Sequence, residues 1–211
     1  EAIGQKSINN VVDAANFILY HIGQPLHAFD ADRVAPDKKA STLAVRLAEK
    51  GETMTTLDSK ELIFTGSELL ITDGERPLAV AGVKGGAGDL VDEHTTNLFL
   101  ESANFEPTST RRTSQKIGIR TDSSQRYEND LSPELTSEGM ELLTKLIIAV
   151  AKTEKTKVGQ VIEWYPRPRK PYLVGFRLAD VANTLGVAIP EKEVVDILDR
   201  LHLSWKKVSP L

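Results

Sequence analysis

Leu69-Leu70-Ile71-Thr72-Asp73-Gly74-Glu75-Arg76-Pro77-Leu78-Ala79-Val80 holds two short apolar runs around Asp-Gly, the pattern of two strands joined by a turn. The same grammar appears upstream. Thr53 to Leu57 and Glu61 to Phe64 flank Asp58-Ser59-Lys60, a second hairpin signal, and Leu43, Val45 and Leu47 alternate with Ala44, Arg46 and Ala48. Downstream, Asn97 to Ala103 reads as a buried strand. Residues 43–103 are therefore β-rich.

Helical periods flank this block. Over residues 9–22 the apolar set Val11, Val12, Ala15, Ile18, Leu19 and Ile22 follows the helical repeat, with Asn9 or Asn10 as cap and Gly23 at the exit. Gln24 to Asp30 is expected to be a tight loop. Pro107 opens a short helix that Gly118 closes, and a longer one starts at Ser132-Pro133-Glu134, with the stripe Leu135, Leu142, Leu143, Leu146, Ile147 and Val150. A strand at 158–164 is expected to close the domain.

Tyr165-Pro166-Arg167-Pro168-Arg169-Lys170-Pro171 breaks the composition and reads as a stiff linker. Beyond it a strand (Tyr172 to Phe176) and two helices (Leu178 to Leu185, Pro190 to Leu201) form a tail that is short for an independent unit. The predicted class is α+β: a β-rich layered domain with flanking helices over 1–164, the linker at 165–171, and a short, truncated helical module over 172–211. The first residue is Glu1, not Met, and the chain is expected to start inside a longer protein.

Composition excludes several classes of function. Of the 211 residues 40% are apolar and 27% charged, and the net charge is -4, so neutralisation of phosphate by the chain as a whole is excluded and any nucleic-acid contact must be local. There is no cysteine, hence no disulfide and no thiolate metal site, which agrees with a reducing, cytoplasmic setting. No apolar run approaches the roughly 20 residues of a membrane span, and no membrane partner is expected.

Four features carry candidate chemistry, each with a plainer reading beside it. Gly82-Val83-Lys84-Gly85-Gly86-Ala87-Gly88 lacks the Gly-Lys-Ser/Thr of a nucleotide loop. It reads as a flexible turn, or as backbone that passes close to a ligand. His27 lies near Asp30, more often a structural pair than a catalyst, and no further metal ligands stand at suitable spacing. Glu101 interrupts an apolar strand, and is either buried with a partner or turned outward with Phe99 on a solvated face. Arg111, Arg112, Lys116, Arg120 and Arg126 either face RNA phosphates or pair with Asp122, Glu128 and Asp130. From the residues alone the reading ends at an α+β domain with a polar pocket.

Taken together, Asn9-Asn10-Val11-Val12-Asp13 on to Asn16, Gly23-Gln24-Pro25-Leu26-His27-Ala28-Phe29-Asp30, Leu78 to Gly86, Leu100-Glu101-Ser102-Ala103-Asn104-Phe105, Arg111-Arg112-Thr113 and Gly118-Ile119-Arg120-Thr121-Asp122 leading to Arg126-Tyr127-Glu128 resemble the phenylalanyl-tRNA synthetase beta-subunit family in its editing domain. The resemblance covers about residues 6–160, and the tail over 172–211 is similar to the opening of the next beta-subunit module, which implies a truncated helical, winged-helix-like fold of nucleic-acid-binding type for it.

The resemblance implies hydrolysis of tyrosine wrongly esterified to the tRNA for phenylalanine. An apolar synthetic pocket rejects an added hydroxyl by only about 10²-fold, and a second site must correct the error. It implies that His27 and Asn16 orient water or the ester, that Glu101 accepts the tyrosine hydroxyl, and that Gly82, Thr121, Ser123 and Ala15 line the pocket. The parent enzyme would be an α₂β₂ assembly with an alpha subunit, using ATP and Mg²⁺ at sites elsewhere, with no cofactor in this segment. A tyrosine- or phenylalanine-like amino acid would occupy the pocket. Three departures stand out. Ala15 replaces a common threonine and Ser123 a usual alanine, which bears on tyrosine preference; Asn129-Asp130-Leu131-Ser132-Pro133 replaces a Gly-Val-Asp-Pro stretch before the long helix. Two further readings are a non-catalytic, tRNA-positioning module and a free-standing deacylase acting in trans.

Overall fold

Antiparallel pairing organises the β-rich block as its turn signals predict. A computed structural model of the chain describes residues 4–34, 42–88 and 90–208. In chain order the elements up to the last strand are α1 (Asn10–Ile22), β1 (Leu26–Asp30), α2 (Ala31–Val34), β2 (Ala44–Leu47), β3 (Thr53–Thr55), β4 (Glu61–Ile63), β5 (Leu69–Thr72), β6 (Pro77–Val80), β7 (Lys84–Gly85) and β8 (Leu98–Ser102). They are followed by α3 (Pro107–Ile117), α4 (Asp122–Tyr127), α5 (Leu135–Ala151), α6 (Leu178–Leu185) and α7 (Glu191–Arg200). The class is α+β. The chain divides into two compact units, 1–161 and 162–211.

Among the described residues the first unit holds three small sheets: a four-stranded sheet in the order β2-β5-β6-β7, the hairpin β3-β4, and the ribbon β1-β8. The ribbon corrects the expectation of a loop over 24–30. Leu26–Asp30 is a strand, paired antiparallel with β8 from Leu26 opposite Ser102 to Asp30 opposite Leu98. Its period of two is hidden in the sequence because Ala28, Phe29 and Asp30 are all buried, so apolar residues occur on both faces.

This ribbon separates two cores. Its even-numbered face, with Leu26, Ala28, Leu98 and Leu100, packs on α1 and α5 through Ala14, Ala15, Ile18 and Leu143, and near Val11 and Val91. On its odd-numbered face, Phe29 and Phe99 pack on Ile71, Leu78, Ala79 and Ala81. A third cluster, Met54, Leu62, Phe64, Leu70, Val80 and Val83, seats the β3-β4 hairpin on the larger sheet.

Capping fixes the helices. The Asn9 side chain accepts from Val11 N and Val12 N at 3.1 and 2.9 Å, and Gly23 ends α1 at φ 83°. Asp30 caps α2, its Oδ1 accepting from Asp32 N and Arg33 N, while its Oδ2 accepts from Thr95 Oγ1 at 2.7 Å. Asp30 and His27 alternate across the strand, so the expected His27–Asp30 pair does not form.

Glu68 ties α3 to the large sheet. Its carboxylate is 1% exposed, lies 2.9 Å from Lys116 Nζ and accepts the N–H groups of Thr65, Gly66 and Ser67. Burial pushes this carboxyl up, but Lys116 and the backbone donors outweigh it and hold the pKa at about 2. A carboxyl lowered from 4.5 stabilises the fold above that pH, and the contribution fades as pH falls towards 2. Denaturant titrations from pH 6 to pH 3 should show about 2 kcal/mol of stability lost in the wild type that a Glu68→Gln variant does not lose. Parallel profiles for the two proteins would refute it.

Two expected strands are absent. Residues 158–164 and 172–176 pair with nothing among the described residues, and Ile162, Tyr172, Leu173 and Val174 are 93, 85, 85 and 73% exposed. An apolar stretch without a neighbouring strand has no ladder to join. In the second unit α6 and α7 form as predicted, Asp180 bonding back to Arg177 N and Gly186 closing α6, and neither helix contains a buried residue.

Candidate functional site

The site begins with the register of the ribbon. His27 and Glu101 are direct cross-strand partners. Side chains so placed stand about 5 Å apart at Cβ and project from the same face. That face also carries Phe29 and Phe99 but is not solvated: β5, β6 and the turn after β6 cover it. Of the two readings of Glu101, it does share a face with Phe99, but that face is an interior wall.

Together they line a cavity of about 80 Å³. Its other walls are Ile71 of β5, Ala79 and Val80 of β6, Gly82 to Gly85, Phe105 after β8, and Ser123 and Tyr127 of α4. Both ionisable residues retain some solvent contact, yet their polar ends lie deep among protein atoms. Burial raises the Glu101 carboxyl to about 7 and lowers the His27 imidazole to about 4. At neutral pH the imidazole is uncharged, with one nitrogen donating and the other accepting, and the carboxyl is close to its midpoint. The His27 ring is edge-on to Phe29, with centroids 4.4 Å apart, and rests against Gly85.

A polar clamp sets the mouth of the ribbon. Tyr127 OH donates towards Ala103 O and Pro25 O at 3.0 and 3.3 Å, and Gln24 Nε2 donates to the same carbonyls at 2.9 and 2.8 Å. Pro25 precedes β1 and Ala103 follows β8, so one phenol and one amide hold the two strands together where His27 and Glu101 emerge. Burial, and then the Glu101 charge, push the Tyr127 phenol well above its ordinary value. Gln24 Oε1 is buried and has no hydrogen-bond partner among the described residues.

Gly82 fits between aromatic rings. It lies at φ +69°, and a Cβ there would sit 2.8 Å from Phe105 Cδ2 and 3.0 Å from Tyr127 Cδ2. The glycine expected to let backbone approach a ligand thus lets backbone approach the protein's own aromatic wall.

The remaining predicted residues divide. Ser123 lines the cavity from the first turn of α4. Thr121 is the N-cap of α4, donating to Val83 O at 2.8 Å and accepting from Ser124 N at 3.1 Å, which pins the helix to the turn holding Gly82. It stands behind the wall, off the lining. Ala15, expected in the pocket, is buried in the α1–α5 core instead, on the far side of the ribbon, because it falls on the apolar stripe of α1. Asn16 is half-buried one turn before Tyr20 on α1 and is not part of the lining.

Lys84, Phe105 and Tyr127 line the cavity beyond the residues that the sequence points to. Lys84 lines the cavity with its Nζ 3.5 Å from Asp58. A cation inside a glycine-rich run was the one local signal for it. The two aromatic walls give none, since α4 is too short to show a period. Among the described residues no group of three or more His, Asp or Glu is placed to hold a metal ion, and no helix is long and apolar enough to cross a membrane.

The basic run mostly neutralises itself. Arg120 pairs with Glu128 at 2.8 Å, Arg126 with Asp122 at 3.4 Å, and Lys116 with Glu68. The Arg126 guanidinium also lies 5.0 Å from the Tyr20 ring centroid.

Chemically, the cavity offers an acid that can accept from a hydroxyl, a neutral imidazole that can orient water, and flat apolar walls suited to an aromatic ring. Residues 1–152 match the family described as B3/4 domain. Over its full length the chain is 40% identical to the phenylalanine–tRNA ligase beta subunit of Geobacter metallireducens, covering 26% of that protein. Over 97% of its length it is 40% identical to the Halalkalibacterium halodurans counterpart, and over 98% it is 38% identical to that of Porphyromonas gingivalis, covering 24% of each. The chain spans about a quarter of the length of these relatives.

Proposed function

This chain belongs to the B3/4 domain family, and on that premise we propose that it is the proofreading segment of a phenylalanine–tRNA ligase beta subunit, hydrolysing tyrosine esterified to the tRNA for phenylalanine. One observation carries the reading: Glu101 and His27 face each other across the ribbon inside a cavity with aromatic and glycine walls. Glu101 accepts the tyrosine hydroxyl, which phenylalanine lacks. A site built to bond a hydroxyl discriminates far more strongly than an apolar pocket does.

His27, uncharged near neutrality, orients a water molecule towards the ester carbonyl. The water oxygen bonds to the carbonyl carbon, the bond from that carbon to the ribose oxygen breaks, and the ribose oxygen takes a proton. The products are free tyrosine and uncharged tRNA. No protein nucleophile is required; positioning and hydrogen bonding supply the rate. The whole enzyme would act in the cytoplasm with an alpha subunit in an α₂β₂ assembly, consuming ATP with Mg²⁺ at sites outside this segment.

Tyrosyl-tRNA and phenylalanyl-tRNA incubated with the chain decide the matter. Release of tyrosine at least about tenfold faster than release of phenylalanine is expected, since a charge-assisted hydrogen bond contributes about 1.5–3 kcal/mol. Equal rates would remove the editing assignment. A second reading, a tRNA-positioning module without hydrolysis of its own, is favoured by the placement of Asn16 off the cavity, which leaves His27 without the expected amide beside it. Binding of tRNA with no release of either amino acid would establish that reading.

A further inference from the structure

We propose that the groove between the C-terminal half of α3 and the end of α4 is an RNA site, taking the sugar-phosphate backbone that leads into the terminal nucleotide; this rests on the reading of the chain as a tRNA deacylase. The groove is open, has a volume of about 550 Å³ and is lined by Arg111, Gln115, Ile119, Arg120, Glu128 and Asn129 among others. It contains neither His27 nor Glu101 and is separate from the cavity.

Three observations lead there. First, charge: of the five cations between 111 and 126, Lys116, Arg120 and Arg126 have carboxylate partners. Arg111 is exposed and has no ion pair among the described residues, while Arg112, also exposed, acts on the Glu106 carboxylate and lies outside the groove lining. An unpaired guanidinium is a bidentate phosphate donor that need not first break a salt bridge.

Second, the donor set. Beside Arg111 stand the Gln115 side-chain amide and Asn129, whose Nδ2 is already committed to Gln125 O at 2.7 Å and whose Oδ1 is left to accept. Glu128, held by Arg120 at 2.8 Å, is a second acceptor. A cation with neighbouring acceptors fits ribose hydroxyls next to a phosphate. Third, continuity: α4 presents Ser123 and Tyr127 to the cavity, and its C-terminal end runs into Glu128 and Asn129 of the groove. A strand whose last residue enters the cavity passes along the same short helix.

The test is titration of the chain with uncharged tRNA over a range of salt, for wild type, Arg111→Ala and Lys152→Ala, the last an exposed cation at the end of α5 that does not line the groove. Loss of one single-strand phosphate contact makes the slope of log affinity against log salt shallower by about 0.7. Arg111→Ala is expected to bind about three- to tenfold more weakly near 0.1 M salt with that shallower slope, while Lys152→Ala matches wild type. Wild-type affinity and slope in Arg111→Ala, or an equal loss in Lys152→Ala, would overturn the groove. Arg111-dependent binding by a chain that releases no tyrosine would support the groove and sink the editing reading alone. A wild-type chain that binds no tRNA would sink both.

Discussion

Replacing Glu101 with glutamine is expected to slow tyrosyl-tRNA hydrolysis about 3- to 10-fold while making the protein more stable at alkaline pH. The kinetic loss corresponds to a charge-assisted hydrogen bond of about 1.5–3 kcal/mol exchanged for a neutral one. Phenylalanyl-tRNA, with no hydroxyl to bond, should be hydrolysed at nearly the wild-type rate, so the effect appears as lost selectivity. The gain in stability follows from the raised pKa. Between its ordinary 4.5 and about 7, Glu101 keeps in the folded state a proton that the unfolded chain releases. Stability therefore declines with pH across that window, and the loss is complete above it.

Glutamine removes this penalty, about 1–3 kcal/mol at pH 8 after allowance for residual solvent contact, and nothing below pH 4. His27 has the opposite slope. Its imidazole is lowered from 6.5 to about 4, so it makes stability rise with pH over that range. In the wild type the two slopes oppose each other between about pH 4.5 and 6.5. Glu101→Gln should leave the upward His27 slope exposed. Urea titrations at pH 5 and pH 8, with single-turnover deacylation of both esters, measure all of this. A variant as selective as wild type and no more stable at pH 8 would show that the carboxyl is neither enclosed nor used.

Gly82→Ala is expected to cost about 3–4 kcal/mol, the larger of two contrasted glycine effects. Its positive φ strains any L residue by about 1–2 kcal/mol. In addition a methyl group would press on Phe105 and Tyr127 at 2.8 and 3.0 Å, and those rings stack edge-on with centroids 5.1 Å apart. Moving Tyr127 also disturbs the carbonyls it shares with Gln24. Gly23→Ala provides the comparison: φ is +83° but no atom lies within 4 Å of the added carbon, so only strain of about 1 kcal/mol is expected. Chemical denaturation of both variants separates the two contributions, and equal losses would mean that the aromatic wall yields freely.

What the sequence reveals about this protein follows from how local each determinant is. The β3-β4 and β5-β6 hairpins, α1 and α3 are read correctly because their turn and cap residues lie within the elements themselves. β1 escapes detection because burial on both faces erases its alternation, and α4 because six residues cannot show a helical period. The strands expected at 158–164 and 172–176 are apolar enough, but a strand depends on a partner, which no local pattern supplies. Glu101 stands out as an acid in an apolar run, whereas its pairing with His27, 74 positions away, comes from register alone. Ala15 shows the converse: the stripe that made it part of a helix also takes it into the core.

The β1-β8 ladder lines the cavity and builds the core with alternate residues of the same ten. Deleting or inserting a single residue ahead of Leu100 in β8 would turn Leu100 towards the cavity and drive the Glu101 carboxylate among Ile18 and Leu143. Descendants of this sequence can therefore retune the cavity by exchanging one side chain for another, but a frame-preserving indel in these ten positions would disrupt cavity and core in one event.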